Sequence, residues 1–340
     1  MNKDLLTLLQ PEAARIDDTM GHEFEAIGNS LLSEVIHYAL FSGGKRIRPL
    51  LTVLCAGLCA IEKIPEGFAT EEELEAPEDL YRLAAVFEYL HGASLLHDDV
   101  IDHAETRRGK PAANSVFGVT PVILAGDFLH ARAMTLAGKI GGVRIQAAIG
   151  GAITDMIEAE FLQMQTVGEK RLSEENYFAV LRGKTASLIG TACEVGGLFG
   201  KGGDEKQCAA LRLYGDALGL AFQVVDDLLD YLGDEKKTGK SVGNDFLEGK
   251  MTLPLIHAIN NAQNEDRVFL LDLLDQGKDK RGARFEEVRM MIEKYRGFSY
   301  AREMAETLVE TAVEALEIFQ ESRTRQILTG LSHYVLTRRK

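Results

Sequence analysis

The sequence predicts an all-α protein. Apolar residues recur at three-and-four spacing through most of the 340 residues, and alternating runs of useful strand length are missing. The chain has no tryptophan and only seven prolines, amid abundant Ala, Leu, Glu, Lys and Arg, a composition that favours helices. Neither a Pro/Ser-rich linker nor a second compositional regime divides the chain, so residues 1–340 read as a single domain.

The elements follow in order. The segment up to about Ser30 reads as one or two amphipathic helices. A helix near 31–41 stops at Ser42-Gly43-Gly44. Lys45-Arg46-Ile47-Arg48-Pro49 opens the next, with Pro49 in its first turn, and this helix runs to about Ala60. Residues 62–79 are acidic and hold Pro65, Gly67 and Pro77, the pattern of an exposed connector. A long helix is expected over 81–102 and a loop over 103–120. Helices over 121–140, 144–165 and 173–198 come next. The last contains Gly183-Lys184-Thr185 in mid-pattern, where the glycine permits a kink or a close approach. After a break at 200–204 a further helix runs to about 232, and 233–249 reads as a mobile loop. Thr252-Leu253-Pro254 starts another helix, and polar helices complete the chain.

Net charge is −14, which argues against a nucleic-acid partner and repels any polyanionic substrate overall. Binding such a substrate needs local basic clusters and metal ions. Four cysteines (Cys55, Cys59, Cys193, Cys208) are too few for a disulfide scaffold, and Cys55 and Cys59 share one face of an apolar helix as small core residues. The first residues lack the basic start and continuous apolar core of a signal peptide. The longest apolar run, 50–61, falls short of the roughly 20 residues that span a bilayer. The expectation is a cytoplasmic protein without a transmembrane segment.

Two aspartate triplets of identical spacing carry the chemistry: Asp98-Asp99-Val100-Ile101-Asp102 and Asp226-Asp227-Leu228-Leu229-Asp230. On a helix the first and last aspartate of each lie one turn apart with the middle one beside them. A lone Asp-Asp-x-x-Asp is usually a solvated surface feature. Two copies, both following apolar stretches, point instead to cation sites, because crowded carboxylates repel one another. Hard oxygen ligands suit Mg²⁺, which pairs a few carboxylates with substrate phosphates. Zinc is disfavoured, since His97 and His103 point to separate helix faces and no Cys-x-x-Cys is present.

Basic groups complement the acids. Lys45, Arg46 and Arg48 sit beside a predicted helix N-terminus, where backbone donors and the dipole favour phosphate. Arg107 and Arg108 follow the first triplet. His91 lies two turns before Asp98 on nearly the same face. Lys184, in an apolar helical segment, must either snorkel to solvent or reach an anion. Lys240 and Lys250 lie in and beside the loop after the second triplet. Together these provide for two diphosphate groups.

The segments Gly43–Pro49, His91–Asp102, Arg107–Pro111, Gly183–Thr185, Phe222–Asp230 and Gly249–Pro254 resemble, in order and separation, those of the trans-prenyltransferase (polyprenyl diphosphate synthase) family, over nearly the whole chain from about residue 20. The resemblance implies an all-helical isoprenoid-synthase fold around a deep central apolar cavity, usually dimeric. It assigns Asp98, Asp99, Asp102, Asp226, Asp227 and Asp230 to Mg²⁺, with about three ions per site, held between carboxylates and substrate phosphates. It assigns Arg107, Lys184, Thr185, Gln223, Lys240 and Lys250 to an allylic diphosphate, and Lys45, Arg48, His91 and Arg108 to isopentenyl diphosphate. Gly92 and Phe246 depart from the usual threonine and leucine without touching a charged role.

The implied reaction is condensation of isopentenyl diphosphate with farnesyl or geranylgeranyl diphosphate by a homodimer that contacts a membrane transiently to release product. In this family, residues four and five before the first aspartate can form the cavity floor. Here they are Ser94 and Ala93, both small, so a growing tail can pass towards Leu90, Phe87 and Val86, with Ala133, Ala137 and Gly138 leaving room on a later helix. The expected product is all-trans, longer than C20 and centred on C40, against the alternative of a C15 or C20 synthase. A terpene cyclase would use one diphosphate and leave the Gly43–Pro49 cations unexplained. A non-catalytic partner subunit would be expected to lose acidic or basic residues. A diphosphate hydrolase would need a base for which no motif is present.

Overall fold

A computed structural model describes residues 7–61, 77–107, 109–166, 173–199, 203–233 and 242–338. Helices dominate it, as the periodicity requires. The chain forms two compact units: residues 1–153, 191–212 and 318–328 make the first, and residues 154–190, 213–317 and 329–340 the second.

The first unit is built around the helix Glu78–Ile101. Leu83, Ala84, Ala85, Val86, Phe87, Tyr89, Leu90 and Ala93 are all fully buried, so the middle of this helix is enclosed on every side in the core, its one buried acid there, Glu88, paired with Arg46. Its largest partner is Val119–Leu136, and Gln10–Phe24, Ser30–Leu40 and Ile47–Ile61 also pack on it. The packing is close at Gly92, where a methyl group would stand 2.5 Å from Leu40 Cδ2. That contact accounts for a glycine where threonine is more usual. The preceding helix stops at Gly43, whose φ of +100° suits glycine. The four cysteines are buried and unbridged.

The 103–120 segment is not the plain loop expected. Thr106–Arg107 and Lys110–Pro111 pair as a two-residue antiparallel hairpin, and a short helix, Ala113–Phe117, follows before the next helix begins at Val119. Strands this short have no alternation to read. The 62–79 connector lies largely outside the described residues, although Glu78 and Asp79 already belong to a helix.

The second unit centres on Leu253–Asn261, which buries Leu253, Pro254, Leu255, Ile256, Ala258 and Ile259 against Gly297–Ala315, Phe285–Lys294 and Glu174–Leu181. Tyr231 stacks on Phe285 at 6.0 Å and tilts on Phe298 at 5.9 Å, and Phe246 meets Phe285 at 6.2 Å. Phe246 is thus a core member of this aromatic cluster. Its helix, Asn244–Leu247, falls within the expected 233–249 loop, of which 234–241 lie outside the described residues.

Glu205–Leu232 is, by length and composition, apolar enough to cross a membrane, and 61% of its apolar window is buried within the protein. A core helix passes the same test.

The expected 173–198 helix is divided. Glu174–Leu181 and Ser187–Leu198 are joined by one π-helical stretch, Arg182–Ala186. Gly183 allows it to pass close to the Gly142–Thr166 helix: a methyl there would meet Ala159 Cβ and come within 2.6 Å of the Asp155 carbonyl oxygen. The extra residue in the turn re-aims Lys184 and Thr185. Gly183→Ala should therefore cost about 1–3 kcal/mol of stability through overpacking, visible as a lowered melting temperature. An unchanged melting temperature would show that the two helices can simply separate.

Candidate active site

The middle aspartate of each triplet turns inward. Asp99 is 3% exposed and Asp227 4% exposed, whereas Asp102 and Asp226 face outward. One turn of helix cannot place three consecutive-face carboxylates equally, and the residue beside the outer pair faces the core. The two buried carboxylates are stabilised by opposite means.

In the first unit Asp99 has a cation. Arg107 Nε, brought back by the hairpin, donates to Asp99 Oδ1 at 2.6 Å. Asn114 Nδ2 donates to the Asp99 carbonyl at 3.1 Å and holds the helix end in place. Asp98 is half-buried, and Asp102 closes the helix with its N–H on the Asp98 carbonyl at 2.8 Å. A cleft lined by Tyr38, Ser42, Gly92, Leu96, Asp99 and Arg107 opens beside this pair. Of the three cations around the start of the Ile47–Ile61 helix, Lys45 is exposed and Arg48 half-buried. Arg46, by contrast, is a core residue, donating to Asp17 at 2.6 Å, Glu88 at 2.7 Å and the Leu40 carbonyl at 2.7 Å. It is unavailable to a ligand, and its backbone takes the left-handed φ of +50° that turns it inward. Half-buried His91 accepts at its carbonyl the Ser94 hydroxyl, 2.9 Å away. Arg108 lies outside the described residues.

In the second unit Asp227 has only neutral donors. The Tyr177 hydroxyl donates to Oδ2 at 2.7 Å and Gln223 Nε2 to Oδ1 at 2.9 Å. Thr185 Oγ1 reaches Gln223 Oε1 at 3.5 Å, which extends the chain to the Gly183-Lys184-Thr185 turn. Asp230 accepts the backbone N–H groups of Asn244 and Asp245, each at 3.1 Å. Asp226 pairs with Arg338 at 2.8 Å. Lys184 does reach an anion: Glu160 at 2.5 Å, with Gln163 at 3.0 Å. Lys250 lies 2.8 Å from Glu248 and 3.5 Å from Asp245. Lys240 lies outside the described residues.

Asp245, Tyr177 and Arg338 went unnoticed in the sequence. Asp245 had a local signal, an acid just after Gly243-Asn244 in a loop rich in glycine and charged residues. Tyr177 and Arg338 had none, since each reaches its aspartate from a distant part of the chain.

Burial, then the charge of Asp245, pushes Asp227 up to about 8, against the pull of Tyr177 and Gln223. The same two causes raise Asp230 to about 6. Asp245 is itself raised, chiefly by burial, although Lys250 opposes this. Among the described residues these carboxylates carry more negative charge than Arg338 and Lys250 neutralise, and all their ligating atoms are hard oxygens. Among the described residues no group of three or more His, Cys, Asp or Glu side chains is gathered so as to hold a metal ion by itself. An all-oxygen site that is charge-deficient yet short of ligands fits Mg²⁺, which completes its shell with water and substrate phosphate.

The Polyprenyl synthetase family profile matches residues 29–292. The chain belongs to the polyprenyl synthetase family. Octaprenyl diphosphate synthase of Escherichia coli (strain K12) is 34% identical over 308 residues, covering 91% of this chain and 90% of that one. A polyprenyl synthase from Caulobacter crescentus CB15, solved in complex with calcium and isoprenyl diphosphate, superposes with a TM-score of 0.86 at 31% identity over 100% of this chain and 98% of the other. A geranylgeranyl pyrophosphate synthetase from Pyrococcus horikoshii Ot3 gives 0.87 at 30% identity over 99% of each. The all-α isoprenoid-synthase fold and trans-prenyltransferase activity expected from the sequence are both supported. The relatives differ in product length.

Two predictions follow from the polyprenyl synthetase site geometry. Tyr177→Phe removes one of two neutral donors to a buried carboxylate and should weaken divalent-cation binding, measured by calorimetry, by about tenfold, the equivalent of 1–2 kcal/mol. Equal affinity would show that Gln223 alone orients Asp227. The second concerns pH. Asp227 and Asp230 keep their protons when folded at pH values where the unfolded chain has lost them, so stability falls as pH rises from about 4 to 8. Melting in chelator should thus be higher at pH 5.5 than at pH 8, and Asp227→Asn should flatten the difference. A slope of opposite sign would refute the assignment.

Proposed function

We propose that this enzyme is a Mg²⁺-dependent long-chain synthase. It condenses isopentenyl diphosphate with farnesyl or geranylgeranyl diphosphate to an all-trans product longer than C20, centred on C40. Residues 1–340 act as a single polyprenyl synthase domain. The observation that carries the metal reading is the carboxylate group around Asp227, buried and short of positive charge.

Bound Mg²⁺ would supply electrostatic stabilisation of the departing diphosphate. Asp98, Asp99, Asp102, Asp226, Asp227 and Asp230 would hold it. Arg107, Lys184, Thr185, Gln223, Lys240 and Lys250 grip the allylic diphosphate, and Lys184 exchanges Glu160 for a phosphate oxygen. Lys45, Arg48, His91 and Arg108 bind isopentenyl diphosphate. Cleavage of the allylic carbon–oxygen bond leaves an allylic cation. The isopentenyl double bond attacks it, and a proton leaves to the released diphosphate. Apolar walls exclude water, which would otherwise capture the cation.

Product length rests on the small residues Ala93 and Ser94, above the fully buried Leu90, Phe87 and Val86. The exposed apolar stripe Ile157, Phe161 and Met164, at i, i+4 and i+7 with 51%, 62% and 57% exposure, supports a homodimer formed through that face. Transient membrane contact for product release and a cytoplasmic location complete the reading.

Labelled isopentenyl diphosphate, farnesyl diphosphate and Mg²⁺ should give products longer than C20 by chromatography, and chelator should abolish them. Products confined to C15 and C20 would overturn the length assignment, and no condensation at all the function. Ser94→Phe should shorten the product distribution, and an unchanged distribution would remove Ser94 from the tail's path.

A further inference from the structure

The three aspartates of the second triplet are held by different kinds of donor. Asp227 has a phenol and an amide, and Asp230 has two backbone N–H groups. These orient a carboxylate without cancelling its charge. Asp226 has a full cation. Arg338 Nη2 donates to Asp226 Oδ1 at 2.8 Å and to the Phe222 carbonyl at 3.0 Å, and its guanidinium carbon lies 3.7 Å above the Phe222 ring. The arginine side chain is 4% exposed, whereas that of Asp226 is 51% exposed.

Burying a guanidinium is costly unless its partners compensate. Here a carboxylate, a carbonyl and an aromatic face do so in part. The seat is incomplete, because Arg338 Nε is buried with no acceptor among the described residues. A guanidinium so held gives up less on leaving than a fully bonded one. It also stands just beyond the end of the helix Arg323–Thr337. Asp226, meanwhile, keeps half its surface open to another ligand.

We propose that Arg338 is a resident counter-ion of the second triplet: it neutralises Asp226 in the metal-free enzyme and yields that carboxylate when a divalent cation binds. The inference rests on the reading that the triplet takes such a cation. By linkage, whatever Arg338 contributes to the metal-free state is subtracted from metal affinity, and metal binding must loosen the Arg338 contact to the same degree. A residue that merely pinned the C-terminal helix would leave metal affinity unchanged.

Mn²⁺ titration followed by electron paramagnetic resonance, in the absence of diphosphate, separates these cases. Arg338→Gln should bind Mn²⁺ about five- to twentyfold more tightly than the unmodified enzyme, a typical span for coupling between two sites. Arg338→Lys, which keeps the charge but loses the planar fork, should fall between. In the unmodified enzyme, amide exchange over 334–338 should quicken on Mn²⁺ addition. Equal affinity in the glutamine variant, or exchange indifferent to Mn²⁺, overturns the proposal. Should Arg338→Gln fold poorly, Phe222→Leu removes the stacking ring and keeps every charge; it should tighten Mn²⁺ binding in the same direction, and failure to do so is equally decisive. Asp227→Asn is the control for the parent reading. If it binds Mn²⁺ as the unmodified enzyme does, the triplet is not the metal site and both ideas fall. If it loses Mn²⁺ while Arg338→Gln changes nothing, only the counter-ion role is lost.

Discussion

Burial of a carboxylate without a matching cation is the constraint from which the second unit's site follows. Asp227 is 4% exposed, and its direct partners are a hydroxyl and an amide. Ionising such a group in the interior is expensive, which is why burial heads the causes of its raised pKa. The surroundings add to the cost, because Asp245 and Asp226 both bring further negative charge. A fold that maximised its own stability would place an arginine there. The first unit does so, with Arg107 on Asp99 at 2.6 Å. The same five-residue motif therefore meets its arginine differently in the two units, on the buried middle aspartate in the first and on the outer Asp226 in the second.

The deficit explains details that otherwise look unrelated. The polypeptide returns through Gly243, whose N–H donates to the Asp230 carbonyl at 2.7 Å, and then spends two more backbone donors on the Asp230 side chain. Backbone N–H groups fix direction while leaving charge available to a ligand. Lys250 lies 3.5 Å from Asp245 and takes off part of the repulsion there. The aromatic cluster of Tyr231, Phe246, Phe285 and Phe298 supplies a rigid base for the loop and for Asp230 next to it. Rigidity matters because a site of weakly held carboxylates would relax apart and lose its affinity for a cation.

Much of this was legible in the sequence, and what was missed has a common cause. Helices, their order and the stop at Gly43 follow from local periodicity and backbone preference. The divided helix at Gly183-Lys184-Thr185 was signalled by one glycine in an apolar pattern. The triplets announced themselves by repetition. By contrast, the 106–111 hairpin is too short to carry a period, and Arg46 looks like its neighbours Lys45 and Arg48 until Asp17 and Glu88 arrive from other helices. Tyr177 and Arg338 approach across 50 and 112 residues of sequence. Local patterns locate charges; only tertiary structure shows which of them are already satisfied.

That distinction bears on how cations in such a site are counted. In the sequence, Arg46, Arg107, Lys184 and Lys250 are equivalent candidates for a phosphate. In the folded chain Arg46 is committed to two carboxylates in the core. Lys184 and Lys250 hold Glu160 at 2.5 Å and Glu248 at 2.8 Å while remaining 27% and 42% exposed, whereas Arg107 is tied to the buried Asp99. A half-exposed ion pair contributes little to stability, so exchanging its carboxylate for a phosphate costs little. Such pairs fix where each cation waits in a protein of net charge −14, where unpaired lysines would otherwise be drawn to the many surplus acids. On the proposed reading of Lys184 and Lys250 as phosphate ligands, the acids that hold them set the positions from which each charge would be handed to a phosphate.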